Sequence, residues 1–294
     1  MRVFGRGNVL YNGHHPFTMG TTMTPTSRPY PWRTFLFLAA AGICTGPLVL
    51  PYFFGLDAIA TVSQPPVATS LGQLLLEGLV RNFVLLVPAA GLGLWVARRI
   101  GLGAPYLENR LDGGPRPAEP WTSIVRPALF WATVTALVAF GIDAYFQHVL
   151  GVDFPAPEIH ARIAVPWWRS GLASFWAPWA EEILDRLFLL SLVAWLGMKL
   201  FRVANEGRGR WIALWTANLA TAFFFGWYHI SNEQLFAERV PEIVALRTIL
   251  IILPVGLAFG WLYIRRGLEA AILAHFMIDL IVHVVRPIVE SWLT

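Results

Sequence analysis

The sequence predicts an all-α fold, a polytopic bundle of about seven transmembrane helices within a range of roughly six to eight. Of the 294 residues, 56% are hydrophobic and 14% are charged, a composition outside the range of soluble globular domains. Apolar runs of ~20 residues, long enough to cross ~30 Å of hydrocarbon, recur from Thr34 to the C-terminus. Their even spread indicates one membrane domain.

The predicted spans are separated by polar or Pro/Gly-rich connections. They lie near 34–55, 72–97, 125–149, 172–198, 211–230, 249–264 and 268–285. The sixth and seventh are short for membrane spans. The connection from Gly101 to Pro120 is rich in Pro and Gly, and we expect it to have no fold of its own.

The distribution of positive charge predicts the orientation. Arg and Lys are concentrated in the N-terminal tail and after the even-numbered spans, which places the N-terminus in the cytoplasm. Residues 1–32 lack the features of a signal peptide and are expected to form a disordered cytoplasmic tail before a membrane domain of residues 33–294. The short loops favour a multi-pass protein of the bacterial cytoplasmic membrane.

Charge and cysteine content exclude several classes of function. A pI of about 9.6 would indicate nucleic acid for a soluble protein, but membrane orientation explains the Arg distribution here, so no nucleic-acid partner is expected. The single cysteine, Cys44, excludes an intrachain disulfide and a Cys-based metal site. The partner that the sequence does predict is the lipid bilayer, and it leaves the oligomeric state open.

The fourth span carries a dense group of intramembrane charges. Glu181, Glu182, Asp185 and Arg186 lie within two helical turns, and each costs ~2.5–3.5 kcal/mol to insert at a helix centre. Helical spacing places Glu182 beside Arg186, which can hold that carboxylate. Glu181 is then the freer carboxylate and is suited to take a proton from water.

Two later spans each contribute a histidine. The fifth ends in an aromatic run that contains Gly226, which permits close helix approach, and closes with Tyr228 and His229. In the seventh, i, i+4 spacing puts His275 and Asp279 on one face. Asp279 could orient His275, act as a carboxylate ligand or, if protonated, help to bind an oxyanion.

These residues from three helices could meet in one polar pocket, and two chemistries fit them. In the first, His229, His275 and a carboxylate such as Asp279 hold Zn²⁺, which activates water. In the second, Glu181 activates water directly while histidines bind the tetrahedral oxyanion. The HExxH pattern of soluble zinc proteases is absent from the sequence.

Three short motifs lie in order on these spans: Glu181-Glu182-x-x-x-Arg186, Phe225-x-x-x-His229 and His275-x-x-x-Asp279. Together they resemble the CPBP intramembrane protease family, which includes type II CAAX prenyl endopeptidases and bacteriocin-processing (Abi) proteins. The resemblance covers about residues 170–285. It implies that Glu181 is the general base, His229 its partner, and His275 with Asp279 the ligand or oxyanion pair. Glu182 completes the candidate catalytic set in a structural or supporting role, alongside Arg186 and Phe225.

The sequence departs from the family pattern at three positions. Asp185 stands where an aromatic residue is usual and Leu187 where a small one is usual, and both changes bear on how this helix packs. Asp279 stands where Asn is common, which replaces an amide donor by an acceptor-only group when ionised. This favours a ligand or orienting role for Asp279 over a pure oxyanion role.

Other functions could use the same residues. A proton-coupled transporter would use them as a relay, although no internal repeat accompanies them. A non-catalytic immunity or scaffold protein would keep the pocket as a vestige. The main prediction is an intramembrane endopeptidase acting on a hydrophobic or membrane-associated peptide or protein.

The remaining polar residues of the spans are assigned structural roles. Glu77 and Arg81 have the spacing of an ion pair near the membrane surface. Asp143 and His148 are expected at the membrane interface. Asn218 is expected to form a hydrogen bond to a neighbouring helix.

Overall fold

The structure is a computed structural model that describes residues 29–52, 70–152, 165–233 and 240–293. All but the last residues of the predicted N-terminal tail, 1–32, lie outside these ranges, as does the end of the predicted first span. All regular secondary structure in the described ranges is helical, which confirms the all-α fold.

The helices are numbered here in chain order. They are α1 (Trp32–Cys44), α2 (Leu71–Arg99), α3 (Pro105–Asp112), α4 (Val125–His148), α5 (Trp167–Glu181), α6 (Ser191–Leu200), α7 (Gly207–Glu233), α8 (Glu242–Arg266), α9 (Leu268–Leu280) and α10 (Arg286–Leu293). Two π-helical segments, Glu182–Leu190 and Ile281–Val285, join α5 to α6 and α9 to α10. Each of these pairs therefore forms one long helix.

Five helical runs in the described ranges are long and apolar enough to cross a membrane. They are Trp32–Tyr52, Leu71–Arg99, Trp121–His148, Glu242–Arg266 and Leu268–Trp292. The predicted fourth and fifth spans coincide with the α5–α6 run and with α7. The chain is an integral membrane protein with a polytopic helical bundle, as predicted.

The predicted lengths of the sixth and seventh spans were wrong. Helix α8 begins at Glu242 and not at 249, and the last run continues past 285 into α10. Arg247 and Arg286 lie in the added parts of these helical runs. Both arginines pair with Asp143 of α4, so their charge is neutralised and does not end the helix.

The same contacts define the surroundings of Asp143, which the sequence analysis expected at the membrane interface. Its carboxylate is buried and accepts hydrogen bonds from Nε of Arg247 at 2.9 Å and from Nη2 of Arg286 at 2.8 Å. Arg286 also donates to Glu290 at 2.7 Å. Asp143 is therefore the centre of a charged cluster that joins α4, α8 and α10.

The connection from Gly101 to Pro120 does have structure of its own, contrary to the prediction. Its helix α3 begins with Pro105 at the first helical position and ends before Gly113, whose φ of 65° is left-handed. Both residues suit these positions. An element of eight residues is too short to show a helical period in the sequence.

Helix α3 is fixed to the bundle at both ends. Asp112 accepts hydrogen bonds from the backbone N of Thr34 at 2.8 Å and from its hydroxyl at 2.7 Å, and so caps the first turn of α1. Burial raises the pKa of Asp112, but the hydrogen bonds from Thr34 outweigh it and hold that pKa below its usual value. The backbone N of Leu107 donates to Glu269 of α9 at 2.8 Å.

Small residues bring the central helices close together, as the sequence indicated. A Cβ on Gly226 of α7 would lie 3.4 Å from the Cα of Ile249 in α8. Asn218 donates across the same interface to the carbonyl of Leu257 at 3.0 Å, which confirms its predicted role. These contacts bring the end of α7 against α8 and next to the start of the first π-helical segment.

Candidate active site

The structure brings His275 of α9 to three carboxylates. Its Nδ1 lies 2.7 Å from Oε1 of Glu182, and its Nε2 lies 3.7 Å from both Oε2 of Glu181 and Oδ1 of Asp279. An ionised carboxylate only accepts hydrogen bonds, so Nδ1 of His275 donates to Glu182. The ring is therefore held with Nε2 directed between Glu181 and Asp279.

The inner wall of this site is an ion pair. Arg186 Nε lies 3.3 Å from Oε2 of Glu182, and both side chains are buried, as the helical spacing predicted. Arg186 also lies 3.6 Å from Asp185 and donates to the carbonyl of Gly256 in α8 at 3.4 Å. One guanidinium thus fixes the orientation of two buried carboxylates.

Two aromatic rings enclose the guanidinium. The centre of the Arg186 guanidinium lies 4.5 Å from the ring of Phe225 and 5.7 Å from that of Phe259. Phe259 also packs on His275, with ring centres 5.2 Å apart. The phenylalanine rings keep water from the ion pair, which strengthens its electrostatic interactions.

The charged residues lie where the helix changes its winding. Helix α5 ends at Glu181, and Glu182 to Leu190 form the first π-helical segment. Beyond it, the hydroxyl of Ser191 bonds back to the carbonyl of Arg186 at 3.3 Å, five residues earlier. Such wide turns are common at functional sites. The sequence prediction assumed an uninterrupted α-helix and missed this feature.

His229 occupies the other side of Phe225. The centre of the Phe225 ring is 4.5 Å from the ring centre of His229 and 6.2 Å from that of His275. Nδ1 of His229 donates to the carbonyl of Phe225 at 2.8 Å, which leaves Nε2 as its remaining polar atom. His229 therefore borders the site without direct contact with its carboxylates in the described part of the chain.

Two residues that the sequence analysis did not assign to the site contribute to it. Tyr228 donates its hydroxyl to Oδ2 of Asp185 at 3.0 Å, and Phe259 covers His275. Tyr228 could have been identified from the sequence, because it carries a hydroxyl in an otherwise apolar aromatic run before His229. Phe259 lies in an apolar stretch that carries no such signal.

Two residues of this helix, Asp185 and Leu187, depart from the family pattern, and neighbouring residues accommodate both. Leu187 is fully buried against Gly93 of α2, where a Cβ would lie 3.0 Å from the Leu187 backbone. Because Gly93 has no side chain, there is space for Leu187, which is larger than the residue usual at its position in the family. Asp185, in place of an aromatic residue, has its hydrogen-bond donor in Tyr228.

The accessible side of the site is formed by Glu181 and Asp279. Their side chains are 19% and 13% exposed, whereas Glu182 is fully buried. Oε2 of Glu181 is buried and has no hydrogen-bond partner among the described residues. Oε2 of Glu182 and Oδ1 of Asp185 also lack a hydrogen-bond partner among the described residues, but their side chains are fully buried. Glu181 is therefore the carboxylate of the three that a water molecule can reach most easily.

The predicted zinc ligands do not form a ligand group in this arrangement. Among the described residues, no three His, Cys, Asp or Glu side chains are placed to hold a metal ion together. Nδ1 of His275 is engaged by Glu182, and His229 lies across Phe225 from it. The set of His229, His275 and Asp279 remains a prediction.

Comparison with known proteins identifies the part of the chain that carries the site. Residues 163–281 match the family described as Type II CAAX prenyl endopeptidase Rce1-like. The match confirms the resemblance to the CPBP/CAAX proteases that the three motifs indicated. No curated protein and no solved structure matches the chain.

Proposed function

We propose that this protein hydrolyses a peptide bond of a membrane-associated protein with a water molecule that Glu181 activates. The family match over residues 163–281 supports the reaction class. The observation that carries the assignment is Oε2 of Glu181, a buried oxygen without a protein hydrogen bond, 3.7 Å from Nε2 of His275.

The reaction requires one base and one oxyanion site. Glu181 takes a proton from water as the water oxygen bonds to the carbonyl carbon, and the carbonyl electron pair moves to its oxygen. The electron pair on the oxyanion then re-forms the C=O bond as the C–N bond breaks, and Glu181 returns the proton to the leaving nitrogen. The products are a carboxylic acid and an amine.

His275 is the proposed oxyanion donor. With Nδ1 held by Glu182, a protonated ring presents its Nε2–H toward the space between Glu181 and Asp279. Asp279 is within reach to orient this imidazole. His229, with Nδ1 bound to Phe225, offers Nε2 to orient the water or the substrate.

A zinc ion is the alternative activator of water. It would supply a Lewis acid that lowers the pKa of bound water. The described side chains do not form a three-ligand group that would hold the ion. A chelator tests this alternative.

We propose the C-terminal segment of a prenylated or otherwise hydrophobic protein as the substrate class, because the matched family is described as a CAAX prenyl endopeptidase. Glu181 and Asp279 form the accessible side of the site, so the scissile bond approaches from there. We also propose, from the distribution of Arg and Lys, that the N-terminus and the basic helix ends lie at the cytoplasmic face of a bacterial membrane.

The test is turnover of a library of prenylated and unprenylated peptides by the protein in nanodiscs, analysed by mass spectrometry in H₂¹⁸O. Incorporation of ¹⁸O into new C-termini supports hydrolysis, and its loss on chelation would select the zinc mechanism. No cleavage of any peptide would contradict the proposal and favour the transporter or the non-catalytic scaffold.

A further inference from the structure

A cavity of about 420 Å³ lies where α2 and α6 end side by side, at the end of the bundle that carries the basic connections. Its walls come from the last turn of each helix and from the segment after α6. None of its lining residues belongs to the candidate active site, and the proposed reaction does not use it.

Three cations line this cavity. Arg99 ends α2, Lys199 is in the last turn of α6, and Arg202 follows α6. All three are exposed, and none forms an ion pair with a carboxylate in the part of the chain that the structure describes. The cavity therefore has an excess positive charge that is complementary to an anion.

Two tryptophans hold the cations in place. The guanidinium of Arg99 lies 3.4 Å from the ring centre of Trp95, and the ammonium of Lys199 lies 5.4 Å from that of Trp195. The two indoles pack edge to face with their centres 5.8 Å apart. Tryptophan beside Arg and Lys is typical of the depth at which lipid headgroups lie.

The surface next to the tryptophans is apolar. Leu92 lies two turns before Arg99 on α2, and Leu196 lies one turn before Lys199 on α6, and both are exposed. A molecule with its anion at the cations would place attached hydrocarbon along these leucines. This order of groups matches a phospholipid, whose phosphate lies above its acyl chains.

The segment after α6 adds a polar group. Asn205 donates to the carbonyl of Arg99 at 3.1 Å, which fixes the segment over the end of α2. Its Oδ1 is buried and has no hydrogen-bond partner among the described residues. Arg202 adopts a left-handed φ of 53°, an uncommon conformation for a residue other than glycine.

We propose that this cavity binds an anionic glycerophospholipid. Arg99, Lys199 and Arg202 bind its phosphate, and Oδ1 of Asn205 accepts a hydrogen bond from a headgroup hydroxyl. Phosphatidylglycerol has both the charge and the hydroxyl donors. The site is independent of the proposed proteolysis.

Native mass spectrometry of the full chain tests the proposal after reconstitution with equal amounts of phosphatidylglycerol and phosphatidylcholine. The site variant carries Arg99→Gln, Lys199→Gln and Arg202→Gln. A matched control carries Arg110→Gln, Arg116→Gln and Arg208→Gln, which remove the same charge from exposed positions that do not line the cavity.

We expect the wild type and the control to retain bound phosphatidylglycerol, and the site variant to retain it on the order of 100-fold less. If the site variant does not fold, Lys199→Gln alone should reduce retention about fivefold. Equal loss in both triple variants would overturn the proposal. Displacement of the lipid by glycerol phosphate at equal concentration would also overturn it, because the site would then bind a soluble phosphate.

Discussion

His275 and Glu182 form a buried hydrogen bond of 2.7 Å between α9 and the start of the first π-helical segment. It links two of the three sequence motifs, because Glu182 belongs to the first and His275 to the third. Glu182 also pairs with Arg186. Glu182 therefore holds His275 in place, whereas Glu181 next to it remains free for chemistry. In the proposed mechanism the adjacent glutamates therefore have separate roles, a positioning role for Glu182 and a catalytic one for Glu181.

Substitution of the positioning glutamate tests this division of roles. Glu182→Gln keeps the shape but removes the charge that Arg186 and His275 share, and we expect kcat to fall ~10–100-fold with little change in KM. The pH profile of kcat should shift as well, because His275 loses a neighbouring charge. A purely structural role for Glu182 would lower the amount of folded protein and leave both kcat and the pH profile of the folded fraction unchanged.

The hydrogen bond between Tyr228 and Asp185 should contribute to stability. Tyr228→Phe leaves buried Asp185 without this donor, at an expected cost of ~1–3 kcal/mol in the free energy of unfolding. Tyr145→Phe, at an exposed position in α4, is the control and should change little.

A double-mutant cycle with Asp185→Asn completes the measurement. We expect the two substitutions to be strongly non-additive, since either one breaks the same contact. Additive losses of stability would show that the two side chains act separately.

Gly93 should tolerate no side chain. The Cβ of Gly93→Ala would lie 3.0 Å from backbone atoms of Leu187, which cannot rotate away, so we expect a loss of ~1–3 kcal/mol. Gly78→Ala in the same helix meets nothing within 4 Å and should stabilise by ~0.5–1 kcal/mol. Thermal unfolding in detergent measures both, and an equal response of the two variants would contradict this packing.

The charged cluster around Asp143 should be a major source of stability. Asp143→Ala removes the buried carboxylate that accepts hydrogen bonds from Arg247 and Arg286, and removal of one partner from such a cluster costs ~3–5 kcal/mol. Glu206→Ala, in the exposed connection after α6, removes the same charge and should have little effect. Similar midpoints for the two variants in chemical unfolding would be inconsistent with a structural role for the cluster.

The sequence predicted the helical bundle and the site motifs because each depends on a local pattern. Apolar length identifies the spans, and i, i+4 spacing places Glu182 beside Arg186. The contact between Glu182 and His275 was not predictable, since it depends on how two distant helices rotate against each other. The extra length of α8 was missed for a similar reason, because the partner of Arg247 lies on another helix.

The other wrong or missing predictions also concern features that do not depend on a local sequence pattern. Helix α3 depends on Pro105, Gly113 and its docking to α1 and α9, and not on an apolar period. The π-helical winding after Glu181 has no recognised pattern in the sequence. Tyr228 could have been identified from its hydroxyl, whereas Phe259 could not be distinguished from the apolar residues around it.

The most direct test of the central claim is the cleavage rate of Glu181→Gln in nanodiscs, compared with wild type and with Glu77→Gln, an exposed glutamate outside the site. We expect Glu181→Gln to lose on the order of 10²–10⁴-fold in kcat while it remains folded, and Glu77→Gln to match the wild type. If Glu181→Gln cleaved at the wild-type rate, Glu181 would not be the base, and the proposed mechanism would be wrong.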